Sequence, residues 1–338
     1  MKSNKKTTVI VIALVAALII ISVVADILSE NYETQKTDFA MGAVISQNIK
    51  GKDCDTIAEE IISAIREREN AISWRIESSE IAELNENKTA EVSGKTLEML
   101  KQLLDICKNS NGAVDLTVGN LTGLWNIGSE NFALPDEKEI ENTLKSVSWE
   151  KVKIKNNIVS ISENQKIDLG FAGKGIACDD AKEILKKNKI SEAIINVGGS
   201  LCLYGKDEFT VGIRNPLGDV SDYMAVLTVG EGFISTSGNY ERFSEYQGEK
   251  YHHILSTETG YPVKNNLLSV TVFCSSGLLS DALSTACYCL GYEESLSLLE
   301  KYDAQAVFIF GTNEVRVTDG LKDKIKIEND EFELWKEN

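Results

Sequence analysis

The order in which helix and strand patterns follow each other is the strongest constraint that this sequence places on its fold. Apolar residues recur at helical spacing over 55–72, where Asp55 is a plausible N-cap, and over 93–112, where Gly112 ends the pattern. A third helix pattern, "DALSTACYCLG", stops at Gly291. Between and after these helices lie the strand and hairpin patterns "KVKIKNNIVSIS", "EAIINVGG", "FTVGI", "AVLTVG", "SVTVFCSS" and "AQAVFIFGTNEVRVT". Because there is no regular strand–helix–strand repeat, we predict an α+β fold with mixed, largely antiparallel sheets and flanking helices.

The first 30 residues form a separate unit. Lysines at positions 2, 5 and 6 precede an uncharged run, "TTVIVIALVAALIIISVVA". A run of about 20 apolar residues can cross a bilayer as a helix, whereas a cleaved signal peptide usually has an apolar region of about 7–15 residues. An uncleaved anchor is therefore favoured, with a signal peptide as the alternative. Because basic flanks stay in the cytoplasm, we expect residues 31–338 to form one extracytoplasmic domain at the cell membrane.

Charge and cysteine content restrict the partners and the chemistry. The formal net charge is −17, and no basic stripe offsets it, so nucleic acid is excluded as a partner. The seven cysteines include no C-x-x-C pair. Since an odd number cannot form a complete disulfide framework, we expect buried, reduced thiols.

A glycine-rich segment joins a strand pattern to a helix pattern. In "QKIDLGFAGKGIACDDAKEIL", at 165–185, apolar residues flank Asp168, and three glycines surround Lys174 before the helix begins. Free N–H groups at such a junction can cradle a phosphate. The spacing matches neither the P-loop nor the G-x-G-x-x-G fingerprint. The segment therefore predicts phosphate binding without naming the ligand.

Asp281 and Thr285 are four residues apart in a helix pattern, which places both side chains on one face. A carboxylate with a hydroxyl is a ligand set suited to Mg²⁺. The alternative is that Ser280 or Asp281 caps the helix and that Thr285 is simply buried.

The only two histidines, His252 and His253, are adjacent in "KYHHILSTETGYPV". Either could act as a base near neutral pH, or the pair could lie on a polar strand edge before a turn at 259–260. Since neighbouring side chains on a strand point to opposite faces, only one of them can face a site.

Eight motifs occur in a fixed order from about residue 39 to residue 291 and beyond. They are "FAMGAV", "SWRIESSEIAELN", "GAVDLTVGNLTGLW", "IDLGFAGKGIACDDA", "INVGG", "ISTSGNYERF", "HHILSTETGYPV" and "SDALSTACYCLG". Together they resemble the ApbE-like FAD:protein FMN transferases. The resemblance implies an extracytoplasmic flavin transferase that uses Mg²⁺, cleaves the pyrophosphate of FAD, releases AMP and attaches FMN to a Thr or Ser of an acceptor flavoprotein, such as a subunit of a membrane redox complex.

The resemblance also implies roles for individual residues. Asp168 and Lys174 match contacts to the dinucleotide, and His253 matches the motif histidine near the phosphates, which makes it our candidate base. The metal ligands are expected to be the Phe171 carbonyl and the side chains of Asp281 and Thr285. Contacts to the flavin or the adenine are expected from Met41, Trp74, Ala113, Val114 and Asp115.

Three positions depart from the family pattern. Ala43 stands where the family has a threonine, Ser256 and Thr257 replace an Asp-Pro pair, and Phe171 stands where a smaller residue is common. The second change lies in the loop that holds His253. The same sequence features are compatible with two other functions: a Mg²⁺-dependent FAD pyrophosphatase and a flavin-binding protein without turnover.

Overall fold

The computed structural model describes residues 32–335. The predicted membrane segment, and residues 1–30 as a unit, lie outside this range. Within it, no helix has the length and apolarity needed to cross a membrane. The helices are α1 (Cys54–Ile72), α2 (Glu80–Asn87), α3 (Gly94–Asn109), α4 (Gly119–Trp125), α5 (Glu137–Leu144), α6 (Gly173–Lys187), α7 (Gly277–Leu290) and α8 (Tyr292–Lys301).

The strands are short and numerous. They are β1 (Glu33–Ala40), β2 (Ala43–Lys50), β3 (Thr89–Glu91), β4 (Lys153–Lys155), β5 (Ile158–Ser160), β6 (Glu192–Val197), β7 (Ser200–Tyr204), β8 (Phe209–Arg214), β9 (Tyr223–Val229), β10 (Gly232–Gly238), β11 (Phe243–Tyr246), β12 (Glu249–His252), β13 (Leu267–Cys274), β14 (Gln305–Phe310), β15 (Glu314–Val317), β16 (Ile325–Ile327) and β17 (Glu333–Leu334).

Nine of these strands form the main sheet, in the order β1-β2-β6-β7-β10-β13-β14-β15-β17. Every neighbouring pair is antiparallel except β15 and β17. Three smaller antiparallel sheets, β8-β9-β16, β3-β5-β4 and β11-β12, complete the described part of the chain. The α+β prediction with largely antiparallel sheets is confirmed.

The main sheet is covered on both faces, and strand alternation explains how. Neighbouring residues of β10 illustrate it: Phe233 packs into the cluster formed with α1 and α6, whereas Ile234 packs into the cluster formed with β8 and β9. Helix α7 and helix α3 share a third cluster with β13 and β14. This arrangement holds α6 and α7 side by side against the sheet, where they position the candidate site.

The local predictions hold with two adjustments at helix ends. Asp55 lies in the first turn of α1 rather than at its N-cap, which is Asp53, and the Asp55 carboxylate accepts from the Thr34 hydroxyl at 2.6 Å. Helix α3 ends at Asn109, and Gly112 closes the next turn by donating its N–H to the Cys107 carbonyl at 2.8 Å. Gly291 ends α7 with a φ of 80°. All seven cysteines are free thiols, and Cys289 alone of them is only partly buried.

Candidate active site

A cavity of about 700 Å³ opens between the start of α6, the side of α7 and the loops after α1 and β12. Its volume lies in the range of ligand pockets. All eleven residues that the sequence singled out line this cavity: Met41, Trp74, Ala113, Val114, Asp115, Asp168, Phe171, Lys174, His253, Asp281 and Thr285.

The first turn of α6 is bonded to α7. The Gly175 N–H donates to the Asp281 carboxylate at 2.9 Å, and the Gly170 N–H donates to the Asp168 carboxylate at 2.9 Å. These two amides are therefore already bonded to side chains of the protein. Gly175 is required for a different reason: a Cβ there would lie 2.0 Å from the Gly277 carbonyl oxygen.

Asp281 and Thr285 do share one face of α7, and that face lines the cavity. The helix begins at Gly277 with Ser276 as its N-cap, so the alternative in which Ser280 or Asp281 caps it is wrong. Burial is the main cause that raises the pKa of the Asp281 carboxyl, and the positive charge of Lys174 opposes this shift. The Thr285 hydroxyl lies 3.0 Å from the Ser237 hydroxyl.

The expected metal ligands fit a small divalent cation. Asp281 offers a carboxylate, Thr285 a hydroxyl and Phe171 a carbonyl, all of which are hard oxygen donors. Helix α6 uses the Ala172 carbonyl, which accepts from the Ile176 N–H at 3.0 Å, and no hydrogen-bond donor reaches the Phe171 carbonyl from residues 32–335. The described residues contain no group of three or more His, Cys, Asp or Glu that could hold a metal. A site here would therefore depend on this mixed set of oxygens and on oxygens from the substrate.

Lys174 reaches across the cavity. Its ammonium donates to the Gly198 carbonyl at 3.0 Å and lies 4.0 Å from the Glu241 carboxylate. Desolvation raises the pKa of Glu241, with Lys174 acting in the opposite direction and Asp281 adding to the rise. Lys174 is thus the cation between two carboxylates.

The two histidines face different surroundings. The Nδ1 of His253 lies 3.1 Å from the Arg242 carbonyl oxygen. Since a carbonyl only accepts, Nδ1 carries the proton and Nε2 keeps its lone pair. The ring of His253 is open to solvent in the cavity, yet desolvation by the cavity wall, with Lys174 and Arg242 nearby, lowers its pKa to about 4. His252 does not line the cavity; its Nε2 lies 2.9 Å from the Val263 carbonyl oxygen.

The residues expected at the flavin or the adenine differ in what they can offer. The buried Asp115 carboxylate accepts from the Thr117 N–H at 2.8 Å, the Thr117 hydroxyl at 2.7 Å and the Trp149 N–H at 2.7 Å. Its side chain therefore fixes the loop and leaves the backbone of 113–115 for a ligand. The Lys166 ammonium lies 3.7 Å and the Arg75 guanidinium 4.2 Å from the centroid of the Trp74 ring. Cations therefore already occupy positions over this ring.

Residues 41–309 match the model of the ApbE family. The chain belongs to the ApbE family.

Relatives support this membership over most of the chain. An FAD:protein FMN transferase of Treponema pallidum (strain Nichols) is 29% identical and aligns over 82% of this chain and 83% of its own length. An FAD:protein FMN transferase of Klebsiella pneumoniae (strain 342) is 27% identical over 83% of this chain and 90% of its own. The crystal structure of the ApbE protein from Thermotoga maritima superposes with a TM-score of 0.79 at 28% identity, covering 86% of this chain and 98% of that one.

The structure shows how this ApbE family member accommodates its departures from the family pattern. Ser256 accepts from the Glu258 and Thr259 N–H groups at 3.2 and 3.1 Å, and Thr257 donates its hydroxyl to the Gly112 carbonyl at 2.5 Å. These bonds hold the loop after His253 in place of an Asp-Pro pair. The Ala43 methyl group lies against Gly198, since a Cβ added to Gly198 would lie 2.5 Å from the Ala43 Cβ.

Sequence reasoning missed four charged residues that line the cavity. One is Glu69, near the end of α1, and the other three are Arg75, Glu241 and Arg242. Arg75 directly follows Trp74, and Glu241 and Arg242 lie within "ISTSGNYERF", so both motifs contained the signal. Arg242 has two functions in the fold. Its carbonyl accepts from the His253 N–H at 3.1 Å, and its side chain covers Gly128, where an added Cβ would lie 2.7 Å from Nε.

Proposed function

We propose that this ApbE family member is a Mg²⁺-dependent FAD:protein FMN transferase, which moves FMN from FAD to a Thr or Ser hydroxyl of an acceptor flavoprotein and releases AMP. The observation that carries the proposal is the content of the cavity. Phe171, whose carbonyl accepts no hydrogen bond from residues 32–335, lines one cavity together with Asp281, Thr285, Lys174 and His253. The activity named for the Treponema and Klebsiella relatives agrees with this content.

Asp281, Thr285 and the Phe171 carbonyl would hold the metal. When bound, Mg²⁺ supplies positive charge at the pyrophosphate and at the leaving phosphate. Asp281 has one further task, because its carboxylate also accepts from the Gly175 N–H at the start of α6. That bond fixes the orientation of the carboxylate before any ligand enters.

Lys174 provides the second positive charge. It lies in the first turn of α6, where the helix dipole also favours an anion. Its present partners are a carbonyl at 3.0 Å and a carboxylate at 4.0 Å. We expect the pyrophosphate to compete for this ammonium, since phosphoryl transfer depends on neutralising charge more than on covalent catalysis.

His253 is the base in this proposal. Its Nε2 takes the proton of the acceptor hydroxyl, because Nδ1 is bonded to the Arg242 carbonyl. The hydroxyl oxygen forms a bond to the phosphorus of the FMN half, the bond from that phosphorus to the bridging oxygen breaks, and the electron pair leaves on AMP. A pKa below the usual value keeps the ring neutral, and therefore able to accept a proton, at pH 7.

Intact-mass spectrometry of an acceptor tests the proposal. The full chain is incubated with FAD, Mg²⁺ and a candidate acceptor, and we expect the acceptor to gain one FMN less one water, with AMP released. FMN and AMP formed equally well without any acceptor would identify a pyrophosphatase instead. FAD that binds but stays intact in both incubations would identify a flavin-binding protein.

We also propose that the catalytic domain lies outside the cytoplasm, held at the cell membrane by the N-terminal apolar run. The support is the run's length together with its three preceding lysines. Protease treatment of intact spheroplasts should degrade the domain that begins near residue 31. Full protection of that domain, with degradation only after lysis, would place it in the cytoplasm.

A further inference from the structure

Helices α6 and α7 touch through their backbones near their first turns. A Cβ on Gly175 would lie 2.0 Å from the Gly277 carbonyl oxygen, and a Cβ on Gly277 would lie 2.1 Å from the Gly175 carbonyl oxygen. Because only glycine permits this approach, each helix start lies beside the first turns of the other helix.

Each helix supplies a carboxylate to the start of its neighbour. Asp281, four residues after Gly277 on α7, accepts from the Gly175 N–H of α6 at 2.9 Å. Asp179, four residues after Gly175 on α6, accepts from the Gly277 N–H at 2.7 Å and from the Leu278 N–H at 2.7 Å. The first amides of a helix have no partner within the helix, so these carboxylates satisfy groups that would otherwise be unpaired.

We propose that Asp179 is a positioning residue for the metal ligands Asp281 and Thr285: it fixes the start of α7 on α6, so that both ligands face the cavity. This inference rests on the proposed function. Asp179 does not line the cavity, and it reaches the ligands only through α7. Its carboxylate also lies 3.3 Å from the hydroxyl of Ser276, the N-cap of α7. Three groups at one helix start therefore depend on this single side chain.

Asp179→Asn is the informative change. The amide keeps the size of the side chain but presents one accepting oxygen where two are needed, and its NH₂ faces an N–H donor. We expect α7 to lose one of its two short bonds and to shift at its start. Residues that orient a metal ligand typically cost about 10–100-fold in metal affinity when they are changed.

The next residue supplies a matched control. Asp180 lies on the same helix and is also buried, but its carboxylate pairs with Arg68 of α1, at 2.6 Å to Nε and 2.8 Å to Nη2. Asp180→Asn removes a comparable buried interaction without touching α7. It should lower the melting temperature and leave the metal site as it is.

Mg²⁺ titration of the full chain with FAD bound, by calorimetry, compares the two variants with the parent. We expect Asp179→Asn to weaken Mg²⁺ binding by about tenfold or more, and Asp180→Asn to change it little while both lower the melting temperature. Equal Mg²⁺ affinities for Asp179→Asn and the parent would overturn the inference, as would an equal loss of Mg²⁺ affinity in Asp180→Asn.

If Asp179→Asn does not fold, Ser276→Ala provides a second test, because it removes one Asp179 contact. It must still weaken Mg²⁺ binding more than Asp180→Asn does. A parent chain that binds no Mg²⁺ would refute the proposed metal-dependent function along with this inference.

Discussion

His252 and His253 are neighbours in the chain, yet their rings are bound to carbonyl groups of different segments: His252 to Val263 at 2.9 Å and His253 to Arg242 at 3.1 Å. Only the ring of His253 lines the cavity. The ring of His252 packs edge-on against Tyr288, with centroids 5.8 Å apart. His252 is the last residue of β12 and His253 lies just beyond the strand, so the expectation that both lie on one strand is wrong, although their side chains do face different surroundings.

His253→Ala should slow FMN transfer far more than it weakens FAD binding. Removal of a general base typically costs about 10²–10⁴ in rate, whereas a contact made equally in the ground and transition states changes affinity instead. His252→Ala is the matched control, since it should lower the melting temperature and leave the rate near that of the parent. Single-turnover transfer at saturating FAD measures both. Normal rates in both variants would show that the hydroxyl needs no histidine base.

On the acid side of the pH–rate profile, activity should fall at a lower pH than it would with a histidine of ordinary pKa. Desolvation lowers the pKa of His253 to about 4, so the free enzyme keeps the neutral ring as pH falls from 7 to 5, where an unperturbed histidine with a pKa of about 6.5 would become protonated. The dependence of kcat/KM for FAD on pH reports this group in the free enzyme. A half-maximal point near pH 6.5 that disappears in His253→Ala would contradict the lowered pKa.

Short-range features of this chain could be predicted from sequence, and contacts between distant segments could not. The turn at 156–157 and the end of α7 at Gly291 depend on a few neighbouring residues, and both are found. The cavity residues were found because motif order carries information that periodicity does not. The sequence does not reveal that Asp179 and Asp281 each bind backbone N–H groups at the start of the other's helix, because these bonds join segments about a hundred residues apart. Nothing local to "CDDA" distinguishes Asp179 from Asp180.

Asp281→Ala should abolish Mg²⁺-dependent turnover, and Thr285→Ala should have a milder effect. A carboxylate carries a full charge to the metal, whereas the hydroxyl is a neutral ligand, and charge stabilisation by a metal is typically worth several kcal/mol. Turnover is measured as AMP release across a Mg²⁺ titration, with circular dichroism to verify folding. The Asp281 variant also loses the bond to the Gly175 N–H, so we expect a lower melting temperature for it as well. Full activity of Asp281→Ala would refute the metal site.

Gly175→Ala should destabilise the protein strongly. The added Cβ would lie 2.0 Å from the Gly277 carbonyl and 2.6 Å from the Asp281 Cβ, and forcing atoms into a well-packed core typically costs about 1–3 kcal/mol. Gly123→Ala is the control, because nothing lies within 4 Å of a Cβ there. In that helical position alanine should stabilise the protein by about 0.4–1 kcal/mol. Urea unfolding measures both, and equal free energies of unfolding for Gly175→Ala and the parent would show that the two helices separate freely.

Arg75→Gln and Arg242→Gln should each weaken FAD binding while leaving riboflavin binding nearly unchanged. Both guanidinium groups line the cavity, and no carboxylate of residues 32–335 lies within 4.0 Å of either. Desolvation and then the charge of Arg75 lower the pKa of Arg242, so an anionic ligand would relieve this repulsion. A hydrogen bond between charged groups is worth about 1.5–3 kcal/mol, or roughly tenfold or more in Kd. Calorimetry with FAD and riboflavin at two salt concentrations measures the effect, with the distant Lys138→Gln as control. Equal losses for the two ligands would mean that the arginines shape the cavity rather than bind the phosphates.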